Sequence, residues 1–393
     1  MSDKFHIEID HEKKPHNGER ICGDVFVSKR VGEENRIVAV LSDGLGHGVK
    51  ANILATLTSA MALNFTIEHK DPAMIAEIIM NTLPVDEERK ISYATFTIID
   101  IEINGEVKIL EYDNPQSFIL RGDELFLPEW QCVLMKGENR GKELRFCRFI
   151  PQKEDRIVFA SDGITQSGLG TDVYPLGWGE ENWHKFVQTT ISNEPTISAS
   201  KLCRRVVARA VKNDGFTSKD DSSCGVVYFR EPRSLLICTG PPFRKEKDKE
   251  LAGAVESFSG KKIICGATTA DILSRELDLE IKDGFEFEDP DLPPVSYMEG
   301  IDLLTEGILT LSKVAEMLKK YDNKTQLDKG PADQIVKMLR ESDEVNFIVG
   351  TRINIAHQDP SLPVELEIRR TVVRRIARLL EDKFLKNVTI QFI

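Results

Sequence analysis

The 393-residue chain lacks the marks of a secreted, membrane-spanning or nucleic-acid-binding protein. Its seven cysteines are an odd number at irregular spacings without a C-x-x-C pair, which argues against a disulfide framework or a zinc site. No apolar run approaches the roughly 20 residues that a membrane helix needs, and the polar start, MSDKFHIEID, is unlike a secretory signal. The net charge of −12 argues against a basic surface for nucleic acid. These absences predict a cytoplasmic protein with neither a nucleic-acid nor a membrane partner.

The sequence predicts two domains, divided near Glu231-Pro232-Arg233. Residues 1–231 contain many short strand-like runs, with helical segments in two places. This pattern predicts an α+β fold in which helices pack outside the sheets of a β-sandwich. Residues 232–393 alternate strand and helix, which predicts a second domain of the α/β class.

Apolar runs that end in glycine-containing turns organise both domains. In the first domain, the runs Arg36–Leu41 and Arg156–Ala160 each lead directly into Ser-Asp-Gly. Helices are predicted over Val49–Phe65 and Pro72–Leu83. The second domain is predicted to contain the strands Ser234–Cys238, Lys261–Cys265, Val345–Val349 and Val388–Phe392, and the helices Lys245–Glu256, Ala270–Glu276, Asp302–Tyr321, Gln334–Arg340 and Pro363–Phe384.

Four aspartates share one context, because each lies at the end of an apolar strand or in the turn beside it. They are Asp24, Asp43, Asp162 and Asp220. A lone Asp-Gly after a strand is usually only a turn, but two Ser-Asp-Gly units more than a hundred residues apart, together with a Gly-Asp and an Asp-Asp-Ser-Ser, point to a shared site. Carboxylates are the ligands that magnesium and manganese prefer. The glycine after each Ser-Asp is expected to allow a sharp turn and to leave the Gly44 carbonyl accessible as a further ligand.

The ordered set of motifs resembles the sporulation stage II E-type branch of the metal-dependent protein phosphatase superfamily, which has the protein phosphatase 2C-like fold. The matching segments are GDVF at 23–26, SDGLGHG at 42–48, YATFTIIDIE at 93–102, FILRGDEL at 118–125, DRIVFASDG at 155–163 and DDSSCGVVYF at 220–229. The resemblance covers about residues 1–230 and implies an antiparallel β-sandwich flanked by pairs of helices.

By this resemblance the chain is a protein-serine/threonine phosphatase with two manganese or magnesium ions as cofactors. Asp43 would bridge both ions and the Gly44 carbonyl would bind the second. Asp162 and Asp220 would complete the first ion, and Asp24 would reach the second through water. The first acid of the Asp-Asp pair is the ligand in the family pattern, which favours Asp220, and a shift to Asp221 remains open. A hydroxide held by the two ions would attack phosphorus in line.

The chain departs from the eukaryotic relatives at two positions. Their candidate general acid, a histidine directly after Asp-Gly, is Leu45 here; His47 either substitutes for it or serves only the turn. Their phosphate-binding arginine has no exact counterpart, and Arg20 is the nearest candidate. The helices that follow Asp43 are either a switch that completes the metal site when a partner docks, as the resemblance implies, or plain packing elements.

The second domain resembles no family that we recognise. Gly266-Ala-Thr-Thr269, between a strand and a helix, is either an ordinary capped turn or an anion site for a small ligand. The arginines of Pro363–Phe384 form either a solvated face or a docking surface for an acidic partner. Two functions remain open for the whole chain. One is a phosphatase acting on a phosphorylated bacterial signalling protein, such as an anti-sigma-factor antagonist, with a regulatory second domain. The other is a non-catalytic, pseudophosphatase-like sensor. A third possibility, a phosphatase acting on a small molecule held by the second domain, has no specific support in the first domain.

Overall fold

The computed structural model describes residues 5–31, 35–82, 94–103, 105–135, 142–284, 288–321, 325–352, 363–384 and 386–393. By internal contacts the chain divides into two compact units, Met1–Glu231 and Pro232–Ile393. Within the described ranges, no helix is both long enough and apolar enough to cross a membrane.

The first unit is built from antiparallel strands and helices that follow the predicted order. Its strands are β1 (His6–Lys14), β2 (Val25–Val31), β3 (Arg36–Gly44), β4 (Ala94–Glu102), β5 (Val107–Tyr112), β6 (Phe118–Arg121), β7 (Glu124–Phe126), β8 (Gln131–Leu134), β9 (Glu143–Phe149), β10 (Asp155–Ala160) and β11 (Ser222–Arg230). Its helices are α1 (Gly48–Ile67), α2 (Pro72–Thr82), α3 (Asp162–Thr165), α4 (Gly179–Asn193) and α5 (Ala199–Asn213). The helix predicted over Pro72–Leu83 thus matches α2, and Leu83 lies outside the described residues.

These strands form two sheets that pack face to face. One sheet has the order β1-β11-β10-β6-β7 and the other β2-β3-β4-β5-β9-β8. Residues of both sheets, such as Leu41, Ile99, Ile157 and Val227, share one buried core between them. The outer face of the second sheet packs against α1 and α2, and the outer face of the first packs against α4 and α5. The predicted antiparallel β-sandwich flanked by helix pairs is confirmed.

The second unit contains a parallel sheet. Its strands are β12 (Ser234–Thr239), β13 (Lys261–Cys265), β14 (Ile281–Lys282), β15 (Tyr297–Met298), β16 (Leu303–Thr305), β17 (Glu344–Val349) and β18 (Asn387–Phe392). Its helices are α6 (Asp248–Ser257), α7 (Ala267–Leu277), α8 (Ile308–Lys320), α9 (Pro331–Glu341) and α10 (Pro363–Phe384). The main sheet has the order β16-β13-β12-β17-β18, and its neighbouring strands pair in parallel. The expected α/β class is therefore confirmed for this unit.

The helices of the second unit cover both faces of its sheet. Helices α6 and α7 share one core with side chains such as Leu236 and Ile264. Helices α8, α9 and α10 share another core with Ile237 and Phe347 on the opposite face. This doubly wound arrangement brings the carboxyl ends of the parallel strands, and the amino ends of the helices that follow them, to one edge of the sheet.

In the second unit, α7 begins at Ala267 and α9 begins at Pro331, each three residues before its predicted start. Two other helix predictions began too early. The helix predicted over Asp302–Tyr321 begins at Ile308, because Leu303–Thr305 pairs with β13 as an edge strand and Gly307 separates strand from helix. The helix predicted over Lys245–Glu256 begins at Asp248 and is preceded by a 3₁₀ turn. Both errors arose because a short strand or turn beside a helix has no periodicity of its own.

Part of the arginine-rich surface of α10 is engaged within the second unit. Arg375 forms an ion pair with Glu316 of α8 at 2.8 Å. Arg370 and Arg374 lie over the ring of Phe392. These contacts engage three of the arginines within the second unit, and both the solvated face and the docking surface remain predictions for α10.

Candidate metal centre

The predicted aspartates meet at one end of the sandwich because of strand register. In one sheet, Val25 pairs with Ser42, so Asp24 and Asp43 lie next to each other at the strand ends. In the other sheet, Ala160 pairs with Cys224, so Asp162 and the Asp220-Asp221 pair lie beside each other in the same way. Antiparallel pairing thus joins residues from four distant parts of the chain into two neighbouring pairs.

Asp43 is at the electrostatic centre of the group. Burial raises its pKa well above the usual range for an aspartate, and the charges of Asp24, Asp162 and Asp220 raise it further. A carboxylate surrounded by three others is costly unless protons or cations are present. Asp43 and Asp162 also line an open cleft, together with Asp220.

Asp24 is fully buried and is not among the residues that line this cleft. The Ser161 hydroxyl donates to its Oδ2 at 2.7 Å, and the backbone N–H of Ser223 donates to that same hydroxyl oxygen at 2.9 Å. The serine of the second Ser-Asp-Gly therefore fixes Asp24. Burial nevertheless raises the pKa of Asp24 to about 6.

The side chains of the adjacent residues Asp220 and Asp221 lie in different environments. Asp220 lines the cleft, and burial together with the charge of Asp162 raises its pKa to about 6. Asp221 is buried and accepts the backbone N–H of His16 at 3.0 Å. Its charge contributes to the raised pKa of Asp24. The geometry therefore favours Asp220 as the ligand candidate and gives Asp221 a supporting position.

Gly44 and Gly163, which follow the two Ser-Asp pairs, lie where a side chain would not fit. The sharp turn that was expected of them is not the reason for glycine at these positions. Neither Gly44 nor Gly163 has a positive φ. A Cβ on Gly44 would overlap the backbone oxygen of Ala51 in α1, and a Cβ on Gly163 would overlap that of Asp221. The nearby glycines that do adopt positive φ are Gly46 and Gly48. Close backbone packing therefore holds the Asp43 turn against the start of α1.

The cleft has a volume of about 700 Å³. Besides the aspartates, its lining includes Gly44, Leu45 and His47, which were predicted to lie near the metal turn. His47 Nδ1 lies 2.9 Å from Glu19 Oε1, and the His47 ring stacks on that of His16 at 4.5 Å between centroids. Arg20 is exposed and is not among the residues that line the cleft, so its prediction as a phosphate-binding group has no support in this geometry.

Sequence reasoning missed several residues of the cleft. His16 lies beyond β1, without a motif around it, and joins the cleft only because β1 pairs with β11. Asp113 and Asn114 directly follow β5, and Asp113 has the positive φ of 60° that non-glycine residues rarely adopt. The position of an acidic residue at the end of a strand was the signal that identified the four predicted aspartates. Asp113 has the same position and could have been found in the same way.

The donor set fits a hard divalent cation. Its atoms are carboxylate and carbonyl oxygens, and Oδ1 of both Asp24 and Asp162 is buried without a hydrogen-bond partner. Over the described ranges of the chain, no three His, Cys, Asp or Glu side chains already adopt a metal-binding arrangement. Unneutralised carboxylates repel each other, so a closed coordination shell is expected only with the cation bound.

One known protein family matches a long part of the first unit. The family model of Stage II sporulation protein E matches residues 33–230, which includes Asp43, Asp162 and Asp220 and leaves Asp24 just outside. No curated protein matches the chain.

Solved structures similar to this chain include phosphatase domains. The phosphatase domain of SpoIIE from Bacillus subtilis, in a crystal form without domain swapping, is 16% identical, with 58% of this chain and 94% of that chain covered and a TM-score of 0.44. A second Bacillus subtilis SpoIIE structure, with a fragment of the regulatory domain, is 18% identical over 57% and 64%, with a TM-score of 0.47. RsbX in complex with magnesium is 16% identical over 57% and 96%, with a TM-score of 0.39.

The assignment rests on the family model, which covers half of the chain, and on the motifs at the strand ends. The chain belongs to the SpoIIE family.

Proposed function

We propose that the first unit is a metal-dependent phosphoprotein phosphatase. The observation that carries this proposal is the convergence of Asp24, Asp43, Asp162 and Asp220 from four strand ends, with raised pKa values for Asp24, Asp43 and Asp220. Such a concentration of negative charge has a physical purpose if divalent cations neutralise it. When bound, two manganese or magnesium ions would supply an activated water and neutralise charge on the phosphoryl group.

Each residue then has a specific task. Asp43 would bridge the two ions, and the Gly44 carbonyl would bind one of them. Asp162 and Asp220, which line the cleft, would hold the other ion. Asp24, whose orientation is fixed by Ser161, would reach the second ion through water. Gly44 also keeps the turn pressed against α1, so the ligand geometry depends on that helix.

The cleft offers few permanent positive charges to a phosphate. The lysine in its described lining is Lys219, whose Nζ donates to the Leu169 carbonyl at 2.7 Å. The phosphoryl group would therefore depend on the cations for neutralisation. His47 is the candidate for protonating the leaving oxygen, because Glu19 occupies Nδ1 and leaves Nε2 for that role.

The substrate we propose is phosphoserine or phosphothreonine within a bacterial signalling protein, of the anti-sigma-factor-antagonist type. Support comes from the segment beside the cleft, where Leu169, Val173 and Leu176 are exposed although apolar. Exposed apolar side chains next to a polar cleft favour a protein surface over a small soluble phosphate ester. The second unit would then regulate this activity.

The test is hydrolysis of a phosphoserine peptide with manganese by wild type and Asp43→Asn. We expect the variant to lose at least roughly 10³-fold in kcat, because the bridging charge is removed while shape is kept. Asp123→Asn is the matched control, since Asp123 is an exposed acid in the β6–β7 turn of the same unit. Manganese binding should be measured in parallel by isothermal titration calorimetry.

Two outcomes would contradict the proposal. If the wild type binds manganese but shows no turnover with phosphoserine or phosphothreonine peptides, the non-catalytic sensor becomes the better description. If Asp43→Asn retains full activity, the four aspartates are not the catalytic metal ligands.

A further inference from the structure

The edge of the second sheet carries two helix amino ends that start side by side. Helix α7 follows β13 after Gly266, and α8 follows β16 after Gly307. The two glycines are in backbone contact, because a Cβ on Gly307 would lie 3.4 Å from the Gly266 Cα. The Gly266 N–H also donates to the Thr305 carbonyl at 2.9 Å. Both helices therefore point their positive ends at the same place.

Neither amino end is neutralised from within its own helix. Gly266 and Gly307 provide no side-chain cap, and the first turns of α7 and α8 contain no acidic residue. By contrast, α6 has Asp248 and Glu250 in its first turn. The first N–H groups of an α-helix have no intrahelical partner, so two sets of donors meet at this edge.

Buried hydroxyl groups without partners provide the independent observation. Thr269 and Thr310 both occupy the third helical position after the glycine, and both are fully buried. The hydroxyl oxygen of each makes no hydrogen bond. A Cβ on Gly266 would lie 3.6 Å from the Thr269 hydroxyl, so this oxygen is folded back toward the start of α7. A side chain at the same position of α8 leans toward its own amino end in the same way.

An unpaired acceptor lies at the same edge. Glu306 directly precedes Gly307, and its Oε2 is buried without a hydrogen-bond partner. Leaving a buried polar group unpaired destabilises the folded state, and here three such groups border one pair of helix ends. The Glu306 carboxylate would repel an anion that has no hydrogen-bond donor. It could accept a hydrogen bond from a ligand that carries a hydroxyl group as well as the anionic group.

We propose that this edge binds a phosphorylated polyhydroxy compound, such as a sugar phosphate or the ribose phosphate of a nucleotide. The phosphate would receive N–H donors from the first turns of α7 and α8 and hydroxyl donors from Thr269 and Thr310. Glu306 Oε2 would accept a hydroxyl group of the ligand. Such a site would give the second unit a small-molecule input that is independent of the catalytic cleft.

The test uses ribose 5-phosphate as the probe and the full chain. Calorimetric titration is done with EDTA in the Asp43→Asn background, so that the first unit cannot retain the probe through metals. We expect one site per chain and an affinity at least roughly tenfold above that for inorganic phosphate or for ribose alone. In this background, Thr269→Val and Thr310→Val should each weaken binding by roughly tenfold or more, because a hydroxyl donor to phosphate is lost.

Matched variants separate binding from folding. Thr58→Val removes a buried threonine hydroxyl that has a partner in the first unit, and it should leave the titration unchanged. Glu306→Leu should remove the preference for ribose 5-phosphate over inorganic phosphate. No binding of ribose 5-phosphate, or unchanged affinity in both threonine variants while circular dichroism shows them folded, would overturn the site. Equal affinity of the wild-type site for ribose 5-phosphate and inorganic phosphate would overturn the role of Glu306.

Discussion

The two units both collect their candidate functional groups at strand ends, but they do so with opposite charge. In the first unit, antiparallel register brings together carboxylates that repel each other, such as Asp43 and Asp24. In the second unit, parallel strands feed helices whose uncapped amino ends meet at Gly266 and Gly307. The first site is built from side chains and fits cations, and the second is built from backbone and fits an anion.

This difference shows how topology selects chemistry. Neighbouring antiparallel strands run in opposite directions. At each edge of the sheet, the last residues of one strand therefore lie beside the first residues of its neighbour, and motifs that are far apart in sequence meet there. Parallel strands in a doubly wound sheet all end at one edge, where helix dipoles add together. If this comparison holds, the first unit depends on close packing and on buried charge, and the second unit tolerates the loss of a buried hydroxyl group when no ligand is bound.

After Asp43→Asn, the largest effect is expected for Gly44→Ala. A Cβ at this position would overlap the Ala51 backbone, so either the Asp43 turn or α1 has to move. We expect phosphatase activity to fall by more than roughly 10²-fold, because small displacements of ligands at a catalytic centre are costly. The measurement is manganese-dependent peptide hydrolysis. Gly122→Ala is the control, since Gly122 lies in a hairpin turn with open space around it and should affect only local backbone strain. Full activity in Gly44→Ala would show that the turn is not tightly held.

The next effect concerns a buried ion pair that holds the far end of α1. Arg36 donates through Nε and Nη2 to Asp100 at 2.6 Å each, and Nη2 also donates to the Thr66 carbonyl at 2.8 Å. Both side chains are buried. Arg36→Met leaves the Asp100 charge uncompensated and should cost about 3–5 kcal/mol of unfolding free energy.

The three tryptophans, Trp130, Trp178 and Trp183, all lie in the first unit, so their fluorescence reports its unfolding selectively. The double variant Arg36→Met with Asp100→Leu should recover most of the loss, because no charge remains buried. Hydrogen exchange of second-unit peptides should not change. A double variant as unstable as the single would contradict the charge argument.

A third prediction concerns pH and Glu111 in β5. Burial raises the pKa of Glu111 to about 7, although hydrogen bonds from Ser117 and the ion pair with Arg145 act in the opposite direction. The folded pKa lies above the unfolded one, so its contribution to stability is complete below about pH 4.5 and is lost as the pH rises through 7. Glu111→Gln stays neutral and should gain of the order of 3 kcal/mol relative to wild type between pH 4.5 and pH 8.

The readout is urea unfolding of the first unit, followed by tryptophan fluorescence at several pH values. Comparison with wild type cancels the titration of the aspartates at the cleft, which both proteins share. A stability difference that does not change with pH would mean that Glu111 is ionised in the folded protein throughout.

The smallest effect compares threonine hydroxyls in the two units. Thr58 is buried in α1 and donates to the Leu54 carbonyl at 2.9 Å, so Thr58→Val should cost about 1 kcal/mol. Thr269 is equally buried but has no partner, so Thr269→Val should be neutral or slightly stabilising without ligand. Tryptophan fluorescence follows the first variant and hydrogen exchange of second-unit peptides follows the other. Equal losses in both would indicate that the Thr269 hydroxyl has a structural partner.

Much of the fold could be predicted because its signals are local. Apolar runs such as Arg36–Leu41 specify buried strands, and the helix after the Asp43 turn was predicted to within two residues of each end. Short elements without periodicity could not be predicted, as the strand Leu303–Thr305 shows. The same holds for His16, which has no motif and reaches the cleft only through strand pairing.

The sequence alone determined that four aspartates stand at strand ends, and that a strand ending at Gly266 precedes a helix in the second unit. Tertiary structure decided which of these residues face one another. Adjacent residues beside a strand point to opposite sides, so only the register of β11 places Asp220 at the cleft and Asp221 behind it. It also decided why Gly44 is glycine. Gly44 does not have the positive φ that would explain a glycine by backbone geometry. A side chain at this position would overlap the backbone of Ala51, and no pattern in the sequence predicts that contact.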